Sequence, residues 1–361
     1  MIITILATIL VLGVLIFVHE LGHFAAAKAV DIEVPRFSLG LGPKLIGFKK
    51  GETEYVISWF PLGGYVKMAG MIEEEGVGAL EGGKSEGRTP SPRDFDAKSL
   101  PARTLVISAG VLMNFLFAVV AFIVVARAQG MQIPLIQDVL EDSPAAEAGF
   151  RPGDLILTVE GHRIRSFDEL SLMVKQNPEM PIRIGVERAG ERLTLQAVPR
   201  SVRIWSDVIR DSVEIGQLGV RSDPSGGYRS LGWGGAIEEG SYRTWYWVRT
   251  TFEFLGQLVS GQSSAKEVGG PILIGQLSGQ AARAGIWPLL SFMAIISINL
   301  AILNLLPVPV LDGGHLTFLA FEAVRGRALS AGQRIRLTQV GMVLIVGLMV
   351  WVITNDVLRL L

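Results

Sequence analysis

His19-Glu20-Leu21-Gly22-His23 sets two imidazoles and a carboxylate at a spacing that can do metal chemistry. On a helix, residues four apart project from one face. His19 and His23 can therefore share a zinc ion while Glu20, beside them, acts as general base. The residues leading into this pattern, from Ile2 to Val18, are almost all apolar and belong in lipid. Ionisable side chains in a membrane segment are costly and by default mark a site or an ion pathway. Two histidines merely satisfied by neighbouring backbone would leave that cost unexplained. The pattern predicts a zinc site of the metalloprotease kind inside a membrane helix.

A second cluster completes the candidate chemistry. An apolar run ends in Asn304, then Pro307, Pro309, Asp312 and His315. Two prolines so close to Asn304 break a helix, and broken backbone at membrane depth is tolerated only where it lines a cavity. Asp312 is then a buried carboxylate in need of a partner. A zinc ion with two histidine ligands needs a third, with water in the open fourth position. By spacing alone, Asp312 or His315 can fill that place.

The elements that must position these residues follow from composition. Of 361 residues, 49% are hydrophobic and 19% charged. That is too apolar for an ordinary soluble enzyme and too charged for a chain wholly in lipid, so a membrane body carrying a soluble module is expected. A net charge of −1 gives no case for nucleic-acid binding, and the absence of cysteine excludes disulfides and thiolate metal sites. Four spanning helices are predicted, at 1–30, 105–126, 287–315 (carrying the proline motif) and 337–355. The first lacks the basic start of a signal peptide and has the metal pattern where cleavage would fall, so it is expected to be retained. Residues 242–258, rich in Trp, Tyr and Phe but interrupted by Arg243, Arg249 and Glu253, predict an amphipathic helix at the membrane surface.

Orientation follows from basic residues in the loops. Lys and Arg crowd the loop between the first two spans, and Arg325, Arg327, Arg334 and Arg336 occupy the one between the last two. Both loops are predicted to be cytoplasmic. Both termini and the long middle loop then lie outside, with the histidines toward the cytoplasmic half of the membrane.

The loop at 31–104 divides in two. Residues 51–70 alternate polar and apolar and carry turn signals at Pro61 and Gly63-Gly64, which predicts a β-hairpin. Residues 71–99 are acidic and rich in Gly, Ser and Pro, and predict a flexible linker. In the middle loop, 129–200 predicts a small α+β domain. Its run Ser143-Pro144-Ala145-Ala146-Glu147-Ala148-Gly149-Phe150-Arg151-Pro152-Gly153-Asp154 resembles a PDZ domain of the bacterial type, a module that takes an extended peptide onto a sheet edge. Residues 201–286 follow it, with only a fragmentary pattern at 215–220.

Together these motifs resemble the site-2 protease family (peptidase M50), specifically its PDZ-bearing bacterial branch. The resemblance rests on the His19–His23 helix, the Phe60-Pro61-Leu62-Gly63-Gly64-Tyr65-Val66 loop, Gly110 and Asn114 four residues apart, and the Asn304, Pro307, Pro309, Asp312 motif. It implies a polytopic α-helical membrane protein of four transmembrane helices, with a membrane-associated β-hairpin on the cytoplasmic side and one inserted periplasmic PDZ domain. It implies one Zn2+ per chain on His19, His23 and Asp312, with Glu20 catalytic and His315 in a supporting role. Substrate contacts are implied for Asn304, Gly63, Gly64, Tyr65, Pro307 and Pro309. Asn114 is expected to be an interhelical hydrogen-bonder. The implied activity is regulated intramembrane proteolysis in the bacterial inner membrane. Its substrates would be single-pass membrane proteins already cut outside, such as anti-sigma factors, or remnant signal peptides, with a trimmed C-terminus as partner of the PDZ domain. Two features depart from the branch: one PDZ domain where tandem copies are common, and Val111 where relatives often carry proline.

Two other classes compete. A zinc or proton transporter would also place His and Asp in the membrane, but Glu20 sits where a general base belongs and inverted repeats are not visible. A PDZ-bearing adapter with a vestigial metal site would not require Glu20.

Overall fold

A computed structural model describes residues 1–71, 89–206, 211–222, 228–261 and 268–360. Along the chain run α1 (Ile2–Ala29), β1 (Arg36–Lys50), β2 (Thr53–Lys67), α2 (Leu100–Gln129), β3 (Met131–Gln132), β4 (Asp138–Val139) and α3 (Pro144–Glu147). Then come β5 (Leu155–Val159), β6 (His162–Arg163), α4 (Phe167–Lys175), β7 (Ile182–Arg188), β8 (Glu191–Ala197), β9 (Arg200–Ser206), β10 (Asp211–Gln217), β11 (Val220–Arg221) and β12 (Tyr228–Arg229). Five helices close the order: α5 (Trp233–Ser260), α6 (Pro271–Ala284), α7 (Ile286–Asn304), α8 (Asp312–Arg325) and α9 (Ala331–Leu360). The chain divides into two compact units, residues 1–122 with 240–361, and residues 123–239.

In the first unit, α1, α2, α7 and α9 are long and apolar enough to cross a membrane. Helix α1 has 28 residues, about 42 Å at ~1.5 Å per residue, which exceeds the ~30 Å hydrocarbon core. Large apolar side chains face outward on α1 (Ile5, Leu6, Ile9, Leu10) and on α9 (Val343, Leu344, Val346, Val350). Such surfaces suit lipid as solvent and would be a liability in water. The chain is a multi-pass membrane protein. Inside the bundle, polar groups link helices: Ser297 Oγ donates to the Asn114 carbonyl at 2.9 Å, and Thr251 Oγ1 donates to Asn299 Oδ1 at 2.8 Å.

The third span differs from expectation in one respect. Helix α7 ends at Asn304, and Asp312 is the first residue of a separate helix, α8. Pro307 and Pro309 supply no N–H to a helical ladder and push the residues before them out of helical geometry, so the chain cannot run through.

The hairpin also differs. It spans 36–67 and turns at Gly51 and Glu52, with Gly51 at φ 63°. Pro61 and Gly63-Gly64 lie within β2, where they bend the strand instead of reversing it. Arg36–Leu39 consequently stands between two runs of β2, pairing with Glu54–Ile57 in ascending order and with Lys67–Gly64 in descending order. Glu54–Ile57 is flanked on its far side by Lys49–Ile46. The result is four short rungs from two long bent strands, and Gly64–Lys67 is an edge. Away from that edge, Leu45, Ile46, Phe48, Ile57 and Trp59 are exposed.

Of the linker expected at 71–99, residues 72–88 lie outside the described set. The part that follows is built into the unit. Phe95 is buried with Ala27, Ile32, Val34 and Met68, and its N–H donates to the Ala69 carbonyl at 2.7 Å. Arg93 bonds Glu52 through two nitrogens at 2.8 and 2.9 Å and reaches Asp31 at 2.8 Å, while Lys28 also pairs with Glu52. Arg93, then Lys28, hold the Glu52 carboxyl down at about 2. The hairpin turn is thereby tied to the end of α1.

The second unit has a four-stranded antiparallel sheet of order β6-β5-β7-β8 over a core that includes Ile136, Ile156, Leu170, Ile184 and Val186. Its helices are capped locally: Ser143 Oγ accepts from the Ala146 N–H and Ser166 Oγ from the Glu169 N–H. Asp154, fully buried, is held by Arg188 through bonds of 2.7 and 2.8 Å. The unit extends past residue 200. Val220 pairs with Val139, the Ala145 N–H donates to the Leu218 carbonyl, and Leu218 is buried in the same core. The fragmentary pattern at 215–220 thus completes this unit and does not begin another. Helix α5 contains the expected 242–258 and starts nine residues earlier, at Trp233.

Candidate metal centre

His19, His23 and Asp312 come together although 293 positions separate the first from the last. His19 Nε2 and His23 Nε2 are 3.2 Å apart, and Asp312 Oδ2 lies 3.3 Å from the first and 3.4 Å from the second. Three donors bound at about 2.0–2.1 Å to a tetrahedral zinc ion stand about 3.3–3.4 Å from one another, so this near-equilateral triangle fits one. Asp312 Oδ2 is buried without a hydrogen-bond partner. An orphaned buried carboxylate oxygen facing two imidazole nitrogens is costly unless a cation satisfies all three. The donor set, two nitrogens and one oxygen, is one that zinc accepts in sites that keep a position open.

The sequence places these atoms by close helix crossing. An added Cβ at Gly22 of α1 would stand 2.3 Å from the Ala109 carbonyl oxygen, and one at Gly110 of α2 would stand 2.3 Å from His23 Nε2. Only residues without a side chain let α1 and α2 approach this far. That approach brings the Val106 carbonyl to 2.9 Å from His23 Nδ1, which fixes the ring with Nε2 toward the triad. Asp312 arrives on α8, whose far end is tied to the start of α2 by a bidentate pair of Arg103 with Glu322, at 2.5 and 3.0 Å. Arg103 is 7% exposed there and holds the Glu322 carboxyl below the ordinary range.

A cleft of about 480 Å3 opens over the triad. Glu20 lines it, as do Gly63, Gly64, Tyr65, Asn304 and His315. The edge rung of β2 forms one wall, and Gly64 rests directly on α1. Asn304 makes no side-chain hydrogen bond among the described residues and is available to a ligand. Pro307 and Pro309 do not line the cleft. They shape the backbone beneath it, where Val308 and Val310 N–H groups donate to carbonyls only two residues back. His315 borders the cleft but lies outside the triad. Two residues that the sequence did not single out for the site stand against it: Gly110, and Asn114, whose Nδ2 is 3.3 Å from His19 Nδ1.

A bundle of spanning helices with a His-His-Asp triangle beside a carboxylate defines a membrane metalloenzyme. Residues 7–348 match peptidase family M50, and the chain belongs to that family, the site-2 proteases. It is similar over 98% of its length to an Agrobacterium fabrum protein provisionally named a zinc metalloprotease (38% identity, 95% of that protein). It is similar over 99% of its length to metalloprotease MmpA of Caulobacter vibrioides (35% identity, 96% of that protein) and over 98% to zinc metalloprotease RasP of Geobacillus kaustophilus (31%, 97%). Among solved structures, partial likenesses occur to an HtrA-type protease, AlgW, with a decapeptide (27% identity, 25% of this chain, 22% of that one, TM-score 0.17). Another is to the PDZ domain of an SdrC-like protein of Listeria monocytogenes (18%, 22% and 82%, TM-score 0.18). The protein is a zinc metalloprotease of the M50 family.

Proposed function

We propose that this protein is an intramembrane zinc endopeptidase that cuts transmembrane segments of single-pass membrane proteins. The observation that carries the proposal is the donor triangle on α1 and α8 with Glu20 in the same cleft. His19 lies about 26 Å along α1 from Ile2 at ~1.5 Å per residue, within the thickness of a bilayer core. A zinc ion on His19, His23 and Asp312 would supply a Lewis acid for the scissile carbonyl and activate water at neutral pH. Glu20 accepts the proton of the attacking water and delivers it to the leaving nitrogen.

A helical substrate hides its peptide bonds in internal hydrogen bonds and has to be unwound locally. The Gly64–Val66 edge lines the cleft and offers strand backbone to an extended segment, which adds as a further strand. The Asn304 amide holds freed substrate backbone beside it. The exposed apolar residues of the hairpin suit contact with lipid.

The second unit serves as a PDZ domain. A groove of about 270 Å3 between α4 and residues 215–221 would take the extended end of a peptide. The basic residues in the loops support an orientation with the termini and this unit on the periplasmic side of a bacterial inner membrane. Substrates are proteins already trimmed there, of the anti-sigma-factor kind, together with signal-peptide remnants.

The test is cleavage of a tagged single-pass reporter by detergent-purified protein beside Glu20→Gln, with zinc measured in both. Cleavage by the parent alone, with zinc in both, is expected. Zinc in both without cleavage across a panel of reporters points to an adapter, and no zinc in either removes the metal centre.

A further inference from the structure

His19 and His23 both turn Nε2 toward the triad, so both need the same tautomer to donate there: a proton on Nδ1 and a free lone pair on Nε2. For His23 the backbone imposes it, because the Val106 carbonyl beside Nδ1 can only accept. For His19 the corresponding neighbour is a side chain, the amide of Asn114.

Asn114 is 1% exposed and is secured from α7, since Ser297 donates to its carbonyl oxygen. Its Nδ2 faces His19 Nδ1 at 3.3 Å, while its Oδ1 is buried with no hydrogen-bond partner. An amide presents one donor end and one acceptor end of nearly the same shape. With Nδ2 toward His19, the ring accepts at Nδ1 and carries its proton on Nε2, facing Asp312 Oδ2 at 3.3 Å. With the amide turned by half a rotation, Oδ1 accepts from Nδ1–H, the orphaned oxygen is satisfied, and the Nε2 lone pair is free.

We propose that Asn114 is the positioning residue of His19, turning Oδ1 onto Nδ1–H when the site takes up its metal ion and thereby fixing tautomer and ring orientation. The inference rests on the metal centre proposed above and adds to it a residue of α2. It also accounts for the spacing of Gly110 and Asn114. Four residues apart on one helix face, the glycine makes room for the two rings and the asparagine orients the one that the backbone does not.

The experiment is zinc affinity, by competition with a chromophoric chelator, of the detergent-purified full chain and two variants of similar size. Asn114→Asp can only accept. Asn114→Leu can do neither. A lost partner of a metal-bound histidine costs about 10–100-fold in metal affinity, so Asn114→Leu is expected to weaken zinc binding by that factor. Asn114→Asp is expected to keep it, with the visible spectrum of the cobalt-loaded protein unchanged. If Asn114 were only a hydrogen-bonding link between helices through its N–H2, both variants would lose alike. Equal losses, or full affinity in Asn114→Leu, overturn the inference. Should Asn114→Leu not fold, Asn114→Asp decides: affinity and spectrum retained support the acceptor role, and their loss overturns it. A parent chain that binds no zinc removes the metal centre and this inference with it.

Discussion

Gly64 lies on Glu20: an added Cβ at position 64 would stand 3.0 Å from Glu20 Cγ, 2.9 Å from Ile16 Cγ2 and 3.0 Å from the Ser38 carbonyl oxygen. The strand edge that would hold the substrate backbone is thus packed closely on the side chain that would move the proton. Replacing Gly64 by Ala should push the edge away from α1 by some tenths of an ångström. A 1 Å misplacement can cost about 100-fold in rate, so a shift of tenths should cost up to about 10-fold in turnover. Zinc content should not change. Kinetics on the reporter beside metal analysis check this, and loss of zinc in Gly64→Ala would count against it.

Gly110→Ala is expected to abolish zinc binding, since its methyl group would occupy the space 2.3 Å from His23 Nε2. Helix propensity alone argues the other way, because alanine stabilises a helix interior by about 1 kcal/mol over glycine. A variant that melts no lower than the parent yet holds no zinc by atomic absorption matches the crossing described above. Normal zinc content would mean that the two helices part easily.

Asp312 and His315 lie three residues apart and are interchangeable by spacing alone, but they have different roles here. Asp312→Ala should lose zinc, whereas His315→Ala should keep it. Stoichiometry by mass spectrometry under non-denaturing conditions separates them. The opposite result would reassign the third ligand.

The second unit should carry its own acid sensitivity. Burial raises the Asp154 carboxyl, but the Arg188 guanidinium and the Arg151 N–H outweigh it and leave the group below its ordinary value. A carboxylate depressed in the folded state stabilises above its unfolded pKa of about 3.9, and that stability is lost as pH falls through the lower folded value. Protection of 155–159 and 182–188 against hydrogen exchange in the full chain should therefore begin to fall only below about pH 4. Asp154→Asn should be less protected near neutrality, by about 2 kcal/mol for lost bonds to a charged partner, and flatter with pH. An unaltered acid profile in the variant would remove Asp154 as the cause.

Much of this was legible because the signals are local. A helix with His19, Glu20 and His23 needs no tertiary information to put two imidazoles on one face, and the spanning runs announce themselves by composition. The hairpin misled for a physical reason. Pro61 and Gly63-Gly64 are stronger turn signals than Gly51-Glu52, yet β1 and β2 are long enough to bend around one another, and there proline and glycine bend a strand. Residues 211–221 were hard to assign because Leu218 and Val220 are anchored by Ala145 and Val139, 73 and 81 positions earlier. Asn114 gave no local sign of its neighbour. A lone amide in an apolar helix is equally compatible with any interhelical partner, and only the crossing at Gly22 and Gly110 puts His19 beside it.

The distance in sequence between His19 and Asp312 bears on how the cell makes this enzyme safely. The ribosome delivers the two histidines first and the aspartate 293 residues later, roughly 15–60 s at typical elongation rates of about 5–20 residues per second. Throughout that interval the nascent chain has both imidazoles and Glu20 but an incomplete donor set, so the proposed site stays unarmed. Competence waits for the helix that carries Asp312.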